Sequence, residues 1–349
     1  METILLLAHT EADGSLARAA TEAVSATRDL AAGLAGGSFV IGLVGEHVGR
    51  AAESLAGAGA QRLLAVSGPA VGQARYASDA AAVEALCRAA GAALVVAPAT
   101  SRWSRALPGV ACRLGGRIDT HLTSVVADGG AVRAHRWFYR QRMEGVVERT
   151  ARPWFLVIDG GCYPAWTGPP SRAAVETVAV DLSASCSRTT VSGVVAPAAG
   201  QETIRPDAEL LLVAGAGWTK RQADGAVHAD EAGRLILDFL RLTRASLGGS
   251  KSLVDLSGEG HAVLPFMTHL NQIGQTGSTP RHAKGLSTCC HGEEPHVVGW
   301  RFVTERRAIN LDPNCGWARG KADVVYVADA FPLMTKVNAL LAEKGRVRP

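Results

Sequence analysis

Several features that mark common protein classes are missing from this chain. Aromatic residues make up only 5% of its 349 residues, and its seven cysteines have neither CxxC spacing nor the spacing of iron–sulfur ligands. The adjacent pair Cys289-Cys290 is not a metal motif, so reduced thiols are expected. No apolar run approaches the roughly 18 residues of a transmembrane helix, and the first residues lack the features of a secretory signal. The sequence therefore predicts a cytoplasmic protein without membrane insertion.

The charge pattern and the absent catalytic motifs exclude further classes. The net charge is +4, and Lys and Arg are scattered among acidic residues, so no basic stripe is available for nucleic acid. No GxSxG nucleophile elbow and no HExxH zinc motif occur. The histidines of the second half have no helical pairing and no acidic cluster beside them, which favours structural roles over a zinc or iron site. They are His261, His269, His282, His291 and His296.

Glycine is abundant, and short apolar runs alternate with Ala-rich helical patterns in the first half. With 39 glycines and 47% hydrophobic residues, the length suits about two α/β domains. Uninterrupted apolar runs are typical of parallel strands that helices cover on both faces. The sequence therefore predicts an N-terminal doubly wound sheet. Its strands are 4–8, 39–44, 62–66 and 93–97, and its helices are 16–34, 48–57 and 80–90.

The pattern changes beyond Asp119. The runs 124–127, 132–139 and 154–158 resemble strands without intervening helices, which predicts antiparallel additions to the sheet. The stretch Ser192 to Pro206 holds two prolines and two glycines without periodicity, as linkers do. We therefore predict a first α/β domain over residues 1–192, a linker over 193–206 and a second domain over 207–349.

The second domain has the pattern of a Rossmann-like α/β unit. A strand is predicted at 209–214, a helix at 232–247, strands at 308–311 and 324–328, and a final helix at 331–341. The turn Gly215-Ala216-Gly217-Trp218 follows the first strand, where glycines permit close approach to a phosphate, although a purely structural turn explains them equally well. Lys220 and Arg221 stand where a third small residue would be, which disfavours a nicotinamide dehydrogenase.

Two short segments of this domain offer suitable chemistry for a cofactor. Ser250-Lys251 provides a hydroxyl and a cation. The simpler interpretation of Lys251, however, is a solvated lysine in a loop. Gln275-Thr276-Gly277 provides an amide, a hydroxyl and a permissive backbone, as orienting a planar heterocycle requires. A threonine in that position is equally suited to cap a helix.

Taken in order, the motifs of the second half resemble the flavin domain of electron transfer flavoprotein alpha subunits. That family has a Ser-Arg pair, a QVGQTG run, an SGAIQH run, an NKDP and a later Asp. This chain has, in the same order, Ser250-Lys251, QIGQTG at Gln272 to Gly277, HGEEPH at His291 to His296, Asn310-Leu311-Asp312-Pro313 and Asp329. The separations from Thr276 to His296 and from His296 to Asn310 match those of the family. The first half is similar to the family through its ILLLAHT start and its LVVAPAT stretch.

The resemblance implies one FAD held mainly by the second domain. Thr276 would place its hydroxyl at flavin N5, His296 would bond the pyrimidine carbonyl, and Lys251 would stand near the ring. The resemblance gives the remaining cofactor residues as Ser250, Ile273, Gly274, Gln275, Gly277, His291, Gly292, Asn310 and Asp329.

The resemblance also implies an electron carrier rather than a substrate-transforming enzyme. Such subunits pair with a beta-type subunit, accept electrons from a flavin dehydrogenase and pass them to a quinone-linked or iron–sulfur acceptor. This chain departs from the family at Ala216 and Lys251, which replace arginines, at His291, which replaces a serine, and in a longer segment before Gln272. Two alternatives stay open: a flavin enzyme using His291 or His269 as acid–base, and a non-redox scaffold that has lost FAD.

Overall fold

The chain consists of two α/β units, Met1–Val194 and Val195–Pro349. The computed structural model describes residues 2–138, 143–183, 189–193, 203–255, 262–273, 282–288, 300 and 303–346. Within these ranges, no helix combines the length and the apolar character needed to cross a membrane. The fold confirms the predicted class, since the first unit contains a large mixed sheet and the second contains a parallel sheet.

The first unit is built on a nine-stranded sheet with the order β7-β6-β5-β8-β4-β1-β2-β3-β9. Its strands are β1 Thr3–His9, β2 Ser38–Gly45, β3 Arg62–Ser67, β4 Leu94–Pro98, β5 Arg117–Asp128, β6 Ala131–Phe138, β7 Met143–Glu148, β8 Trp154–Ile158 and β9 Glu176–Thr177. Its helices are α1 Arg18–Gly33, α2 Gly49–Leu55, α3 Tyr76–Ala90 and α4 Ser101–Arg113.

Two hydrophobic clusters cover the two faces of this sheet. Along β1, Ile4 and Leu6 pack into a cluster with α1 and α2, whereas Leu5 and Leu7 pack into a cluster with α3 and α4. All four side chains are completely buried. Helices therefore cover both faces, as the uninterrupted apolar runs of the sequence predict.

Strand β8 and helix α4 differ from what the sequence predicts. The predicted antiparallel addition exists as β5-β6, to which the unpredicted strand β7 adds antiparallel to β6. Strand β8 instead pairs parallel to both β4 and β5 in the interior of the sheet. All five residues of β8 are buried, which is the pattern of a central parallel strand. Helix α4 was not predicted because it contains Pro108, a residue that normally ends helices.

The second unit is built on five parallel strands in the order β11-β10-β12-β13-β14. The strands are β10 Leu210–Ala214, β11 Ser246–Gly249, β12 Lys284–Thr288, β13 Glu305–Asn310 and β14 Val324–Val327. The helices are α5 Ala229–Thr243, α6 Lys251–Asp255, α7 Gly316–Lys321 and α8 Ala330–Arg346, with 3-10 turns at Ala216–Thr219 and His269–Asn271.

In this unit, one predicted helix ends earlier than expected, and strand β12 was not predicted. The predicted helix 232–247 ends at Thr243, because Arg244 adopts a left-handed conformation (φ 56°) and the chain turns into the buried strand β11. Strand β12 was missed because Gly285, Ser287 and Thr288 hide its apolar character, although Ser287 and Thr288 are fully buried. Thr203, at the end of the predicted linker, is also buried, and its carbonyl accepts a hydrogen bond from Leu247 N at 2.6 Å.

Candidate functional site

The carboxyl ends of the five parallel strands form one edge of the second unit. Ala214 at the end of β10 is in register with Gly249 of β11 and Thr288 of β12, so these three strands end level with one another. The strand order reverses between β10 and β12, because the chain passes from β10 to β11 on one side and then to β12 on the other. Open α/β sheets bind ligands beyond the carboxyl ends at such a reversal.

Ser250 and Lys251 follow β11 directly at this edge. Ser250 is buried, its N–H donates to Ala214 O at 3.0 Å, and its Oγ accepts a hydrogen bond from Leu253 N at 3.4 Å. Its hydroxyl thus caps the short helix α6, which begins at Lys251. The side chain of Lys251 lies outside the described residues.

The QIGQTG motif begins beside the end of β11. Gln272 forms a parallel bridge with Gly249, and Ile273 N donates to Gly249 O at 3.3 Å. The Ile273 side chain is buried against Gly248, where an added Cβ would lie 2.8 Å from Ile273 Cγ2. Gly274, Gln275, Thr276 and Gly277 lie outside the described residues.

Gln272 is a functional candidate that the sequence analysis did not single out. Its side chain is 1% exposed, and its amide Nε2 has no hydrogen-bond partner among the described residues. Buried amide donors are nearly always paired, so this one marks a place where an acceptor fits. The available sequence signal was its position as the first residue of the QIGQTG motif.

Asn310 and Asp329 lie at the other end of the same edge. Asn310 is the last residue of β13, is buried, and accepts a hydrogen bond from Asp312 N at its Oδ1 (2.9 Å). Asp329 follows β14, and its Oδ1 accepts from Phe331 N at 2.9 Å, in the first turn of α8. The two segments are joined by Ala328 N, which donates to Asn310 O at 3.1 Å. Both side chains therefore shape the turns that follow their strands.

Trp218 and Thr288 meet at the reversal of strand order, and the sequence analysis assigned neither to the site. Trp218 lies in the 3-10 turn after β10, and Thr288 is the last residue of β12; both are completely buried. Trp218 Nε1 donates to Thr288 Oγ1 at 2.8 Å, and Gly215 N donates to Thr288 O at 2.8 Å. The segment beyond Thr288 carries His291, Gly292 and His296, which lie outside the described residues.

Polar side chains also meet at the equivalent edge of the first unit. His9 Nε2 lies 3.0 Å from Thr100 Oγ1, which joins the end of β1 to the start of α4. Burial, with a smaller contribution from the positive charge of Arg102, lowers the pKa of His9 to about 4. Arg102 itself is buried and donates to Asp79 Oδ1 at 2.6 Å. His9 is therefore neutral at physiological pH.

Neither edge offers a metal-binding cluster within the described residues, where no group of three or more His, Cys, Asp or Glu is placed to hold an ion. The charged side chains with shifted pKa values in the second unit lie on exposed ion pairs instead. For example, the hydrogen bond from Lys284 to Glu209 raises the pKa of Lys284. The described part of the candidate edge thus combines the buried hydrogen-bonding residues Ser250, Gln272 and Asn310 with the carboxylate of Asp329.

Comparison with known protein families gives one match. A family model described as the electron transfer flavoprotein domain matches residues 4–183, slightly more than half of the chain. The matched residues lie within the first unit, whereas the motifs that carry the resemblance most strongly lie in the second. No curated protein matches the sequence.

Proposed function

Because the chain belongs to the electron transfer flavoprotein family, we propose that it is the FAD-binding, alpha-type subunit of a heterodimeric electron transfer flavoprotein. It pairs with a beta-type subunit, accepts electrons from a flavin dehydrogenase and passes them to a quinone-linked or iron–sulfur acceptor. The observation that carries the proposal is the placement of the predicted cofactor residues. Ser250, Ile273, Asn310 and Asp329 all lie at or just beyond the carboxyl edge of the parallel sheet, the usual ligand edge of such sheets.

The described residues fit a dinucleotide at this edge. The unpaired Gln272 amide is a buried donor, and FAD presents many acceptor atoms on its pyrophosphate, ribityl chain and flavin ring. Ile273 provides a buried apolar surface beside it, and β11 ends in Gly248 and Gly249, which leave room for the motif to approach the strand. Ser250, Asn310 and Asp329 fix the backbone turns around the site through local hydrogen bonds.

In this proposal the chain binds and orients the cofactor, and the cofactor supplies the electron-transfer chemistry when bound. By the resemblance of the motifs, Thr276 would direct its hydroxyl to the flavin, and His296 would donate to the pyrimidine part of the ring. Lys251 would place a positive charge near the same part, which would stabilise the negative charge of the reduced form and raise the reduction potential.

The first test is an absorbance spectrum of the chain purified after co-production with its beta-type partner. We expect flavin bands and release of about one FAD per heterodimer on denaturation, as one site per chain requires. A colourless complex that takes up no added FAD would contradict the proposal and favour a non-redox scaffold. Turnover of a small substrate without any partner dehydrogenase would instead favour a flavin enzyme.

Lys251→Arg tests the electrostatic role of the lysine. Arginine keeps the charge but adds a planar, bidentate donor, so the flavin midpoint potential should shift while FAD still binds. Spectroelectrochemistry of the two complexes measures the shift. An unchanged potential would show that residue 251 does not tune the cofactor.

A further inference from the structure

A chain of hydrogen bonds crosses the sheet at the reversal of strand order. Trp218 Nε1 donates to Thr288 Oγ1 at 2.8 Å, and Thr288 Oγ1 donates to Val213 O at 3.2 Å. The threonine hydroxyl thus uses its proton and a lone pair at once, and the indole N–H is satisfied. Trp218 and Thr288 are separated by 70 residues and are both 0% exposed, so this is a buried long-range contact.

The ring of Trp218 extends the contact to a third strand end. It packs against Phe331 with the ring centroids 4.8 Å apart and an interplanar angle of 56°. Phe331 lies in the first turn of α8, two residues after Asp329, whose carboxylate accepts its N–H. The side chain of Trp218, which follows β10, therefore contacts both the last residue of β12 and the first turn of the helix that follows β14.

The sheet itself does not set the direction in which the chain leaves these strands. Ladder hydrogen bonds hold β10 and β12 side by side up to Ala214 and Thr288, where the pairing ends. Beyond that point, the contacts of Trp218 and the bond from Gly215 N to Thr288 O fix the turn after β10 against the end of β12. The predicted cofactor residues His291 and Gly292 begin three positions after Thr288.

We propose that Trp218 and Thr288 are positioning residues for the flavin site. Their hydrogen bond fixes the end of β12 against the turn that follows β10. The packing of Trp218 on Phe331 holds the turn of Asp329, a predicted cofactor residue, in the same arrangement. This inference rests on the proposed function, because it requires FAD at this edge. It adds two residues that do not contact the cofactor themselves but position the residues that do.

Two variants break the contact from opposite sides. Trp218→Phe removes the indole donor while keeping an aromatic ring against Phe331, and Thr288→Val removes the hydroxyl at nearly constant volume. Each should weaken FAD binding about tenfold or more, because a small displacement of positioned groups has large effects. The double variant should bind FAD about as weakly as either single variant, since both substitutions remove the same hydrogen bond. Thr288→Ser keeps the hydroxyl and should bind FAD nearly as wild type.

Trp300→Phe is the matched control in the same unit. Trp300 is also buried, with its Nε1 donating to Lys321 O at 2.9 Å, but its ring packs against Gly285 near the amino end of β12. Trp300→Phe should lower the thermal midpoint of the flavin-free protein, as Trp218→Phe should. Unlike Trp218→Phe, it should leave the affinity for FAD unchanged. A purely structural role of Trp218 would give the two variants the same profile.

The experiment measures FAD affinity, flavin midpoint potential and flavin-free thermal stability for each variant, co-produced with the beta-type partner. Weaker FAD binding and a shifted potential in Trp218→Phe and Thr288→Val, but not in Trp300→Phe, support the inference. If the wild type binds FAD and all three variants change only in stability, the inference is wrong but the proposed function still stands. A wild type that takes up no FAD overturns the proposed function, and the inference with it.

Discussion

At the level of single residues, the candidate edge contains two kinds of polar side chain. Ser250, Asn310 and Asp329 each accept a hydrogen bond from a backbone N–H two or three positions further along the chain, so their oxygens stabilise local turns. The Gln272 amide nitrogen is different, because this buried donor has no hydrogen-bond acceptor among the described residues. An unpaired buried donor costs free energy in the unliganded protein and becomes favourable only when an acceptor arrives.

Gln272→Met tests this interpretation. The substitution removes the unpaired amide at similar volume, so the flavin-free protein should keep its stability or gain about 1 kcal/mol. FAD affinity should fall by about tenfold, the usual effect of removing a buried hydrogen-bond donor. Chemical unfolding and FAD titration measure the two effects.

Gln222→Met is the control for the glutamine prediction. Gln222 Nε2 donates to Gly217 O at 3.0 Å and to Lys220 O at 2.7 Å, so this substitution removes real bonds and should cost about 1–2 kcal/mol. If both variants lost the same stability, the Gln272 amide would have to be paired in the protein.

His9 makes the first unit sensitive to pH. Folding lowers the pKa of His9 from its ordinary value of 6.5 to about 4, so the unfolded chain binds a proton first as the pH falls. The contribution of His9 to the free energy of unfolding is complete above pH 6.5. As the pH falls from 6.5 to 4, this contribution is lost by up to roughly 1.4 kcal/mol per pH unit. Urea unfolding across this range, compared with His9→Asn, isolates the effect. Equal slopes in the two proteins would contradict it.

At the level of elements, glycines decide how closely the QIGQTG segment approaches β11. A Cβ on Gly248 would lie 2.8 Å from Ile273 Cγ2, and one on Gly249 would lie 2.5 Å from Met267 Cε. These contacts leave no room for side chains, so the end of β11 consists of two small residues. The start of the motif is therefore held against the strand by backbone pairing and by the Ile273 side chain.

Gly248→Ala should displace this segment. We expect a loss of about 1–3 kcal/mol in stability from overpacking, together with a clear loss of FAD affinity, because Ile273 must move. Gly285→Ala is the matched control, since its Cβ would meet Trp300 at 2.7 Å and Val303 at 2.8 Å on another strand. It should cost similar stability and leave FAD affinity unchanged. Equal effects on affinity would show that the position of Ile273 does not matter for the cofactor.

At the level of the whole molecule, the family match and the predicted cofactor residues belong to different units. The family match lies within Met1–Val194, and the predicted cofactor residues lie within Val195–Pro349. Each unit has its own sheet and its own hydrophobic clusters on both faces. A unit with a complete core is expected to fold alone.

We therefore predict that residues 1–192 fold as an isolated fragment and contain no flavin. Circular dichroism should show an α/β spectrum with a cooperative unfolding transition, and FAD titration should show no binding. A second fragment should begin at Thr203 rather than at residue 207, because Leu247 N and the Asn271 side chain both donate to Thr203. Stoichiometric FAD on the first fragment would contradict the assignment of the cofactor to the second unit.

Particular elements show how far the sequence predicted the fold. The run 4–8 became β1 because five consecutive apolar residues are buried on both faces, a pattern that is visible locally. Strand β12 was missed because its sequence, KGLST, has one large apolar residue, and its burial comes from neighbours on β10 and β13. The direction of β8 was wrong because parallel and antiparallel pairing look alike in a short apolar run.

The sequence by itself determined the α/β class, most of the strands and helices, and the ordered motifs that indicate a flavin carrier. These features depend on local periodicity and on residue type, which a single chain displays directly. Only the tertiary structure decided that Thr288 lies against Trp218 and that β8 stands between β4 and β5. It also decided that Gln272 is buried with no partner for its amide nitrogen among the described residues. Such contacts join residues that are far apart along the chain, and they arise when the crossover connections bring the strand ends together.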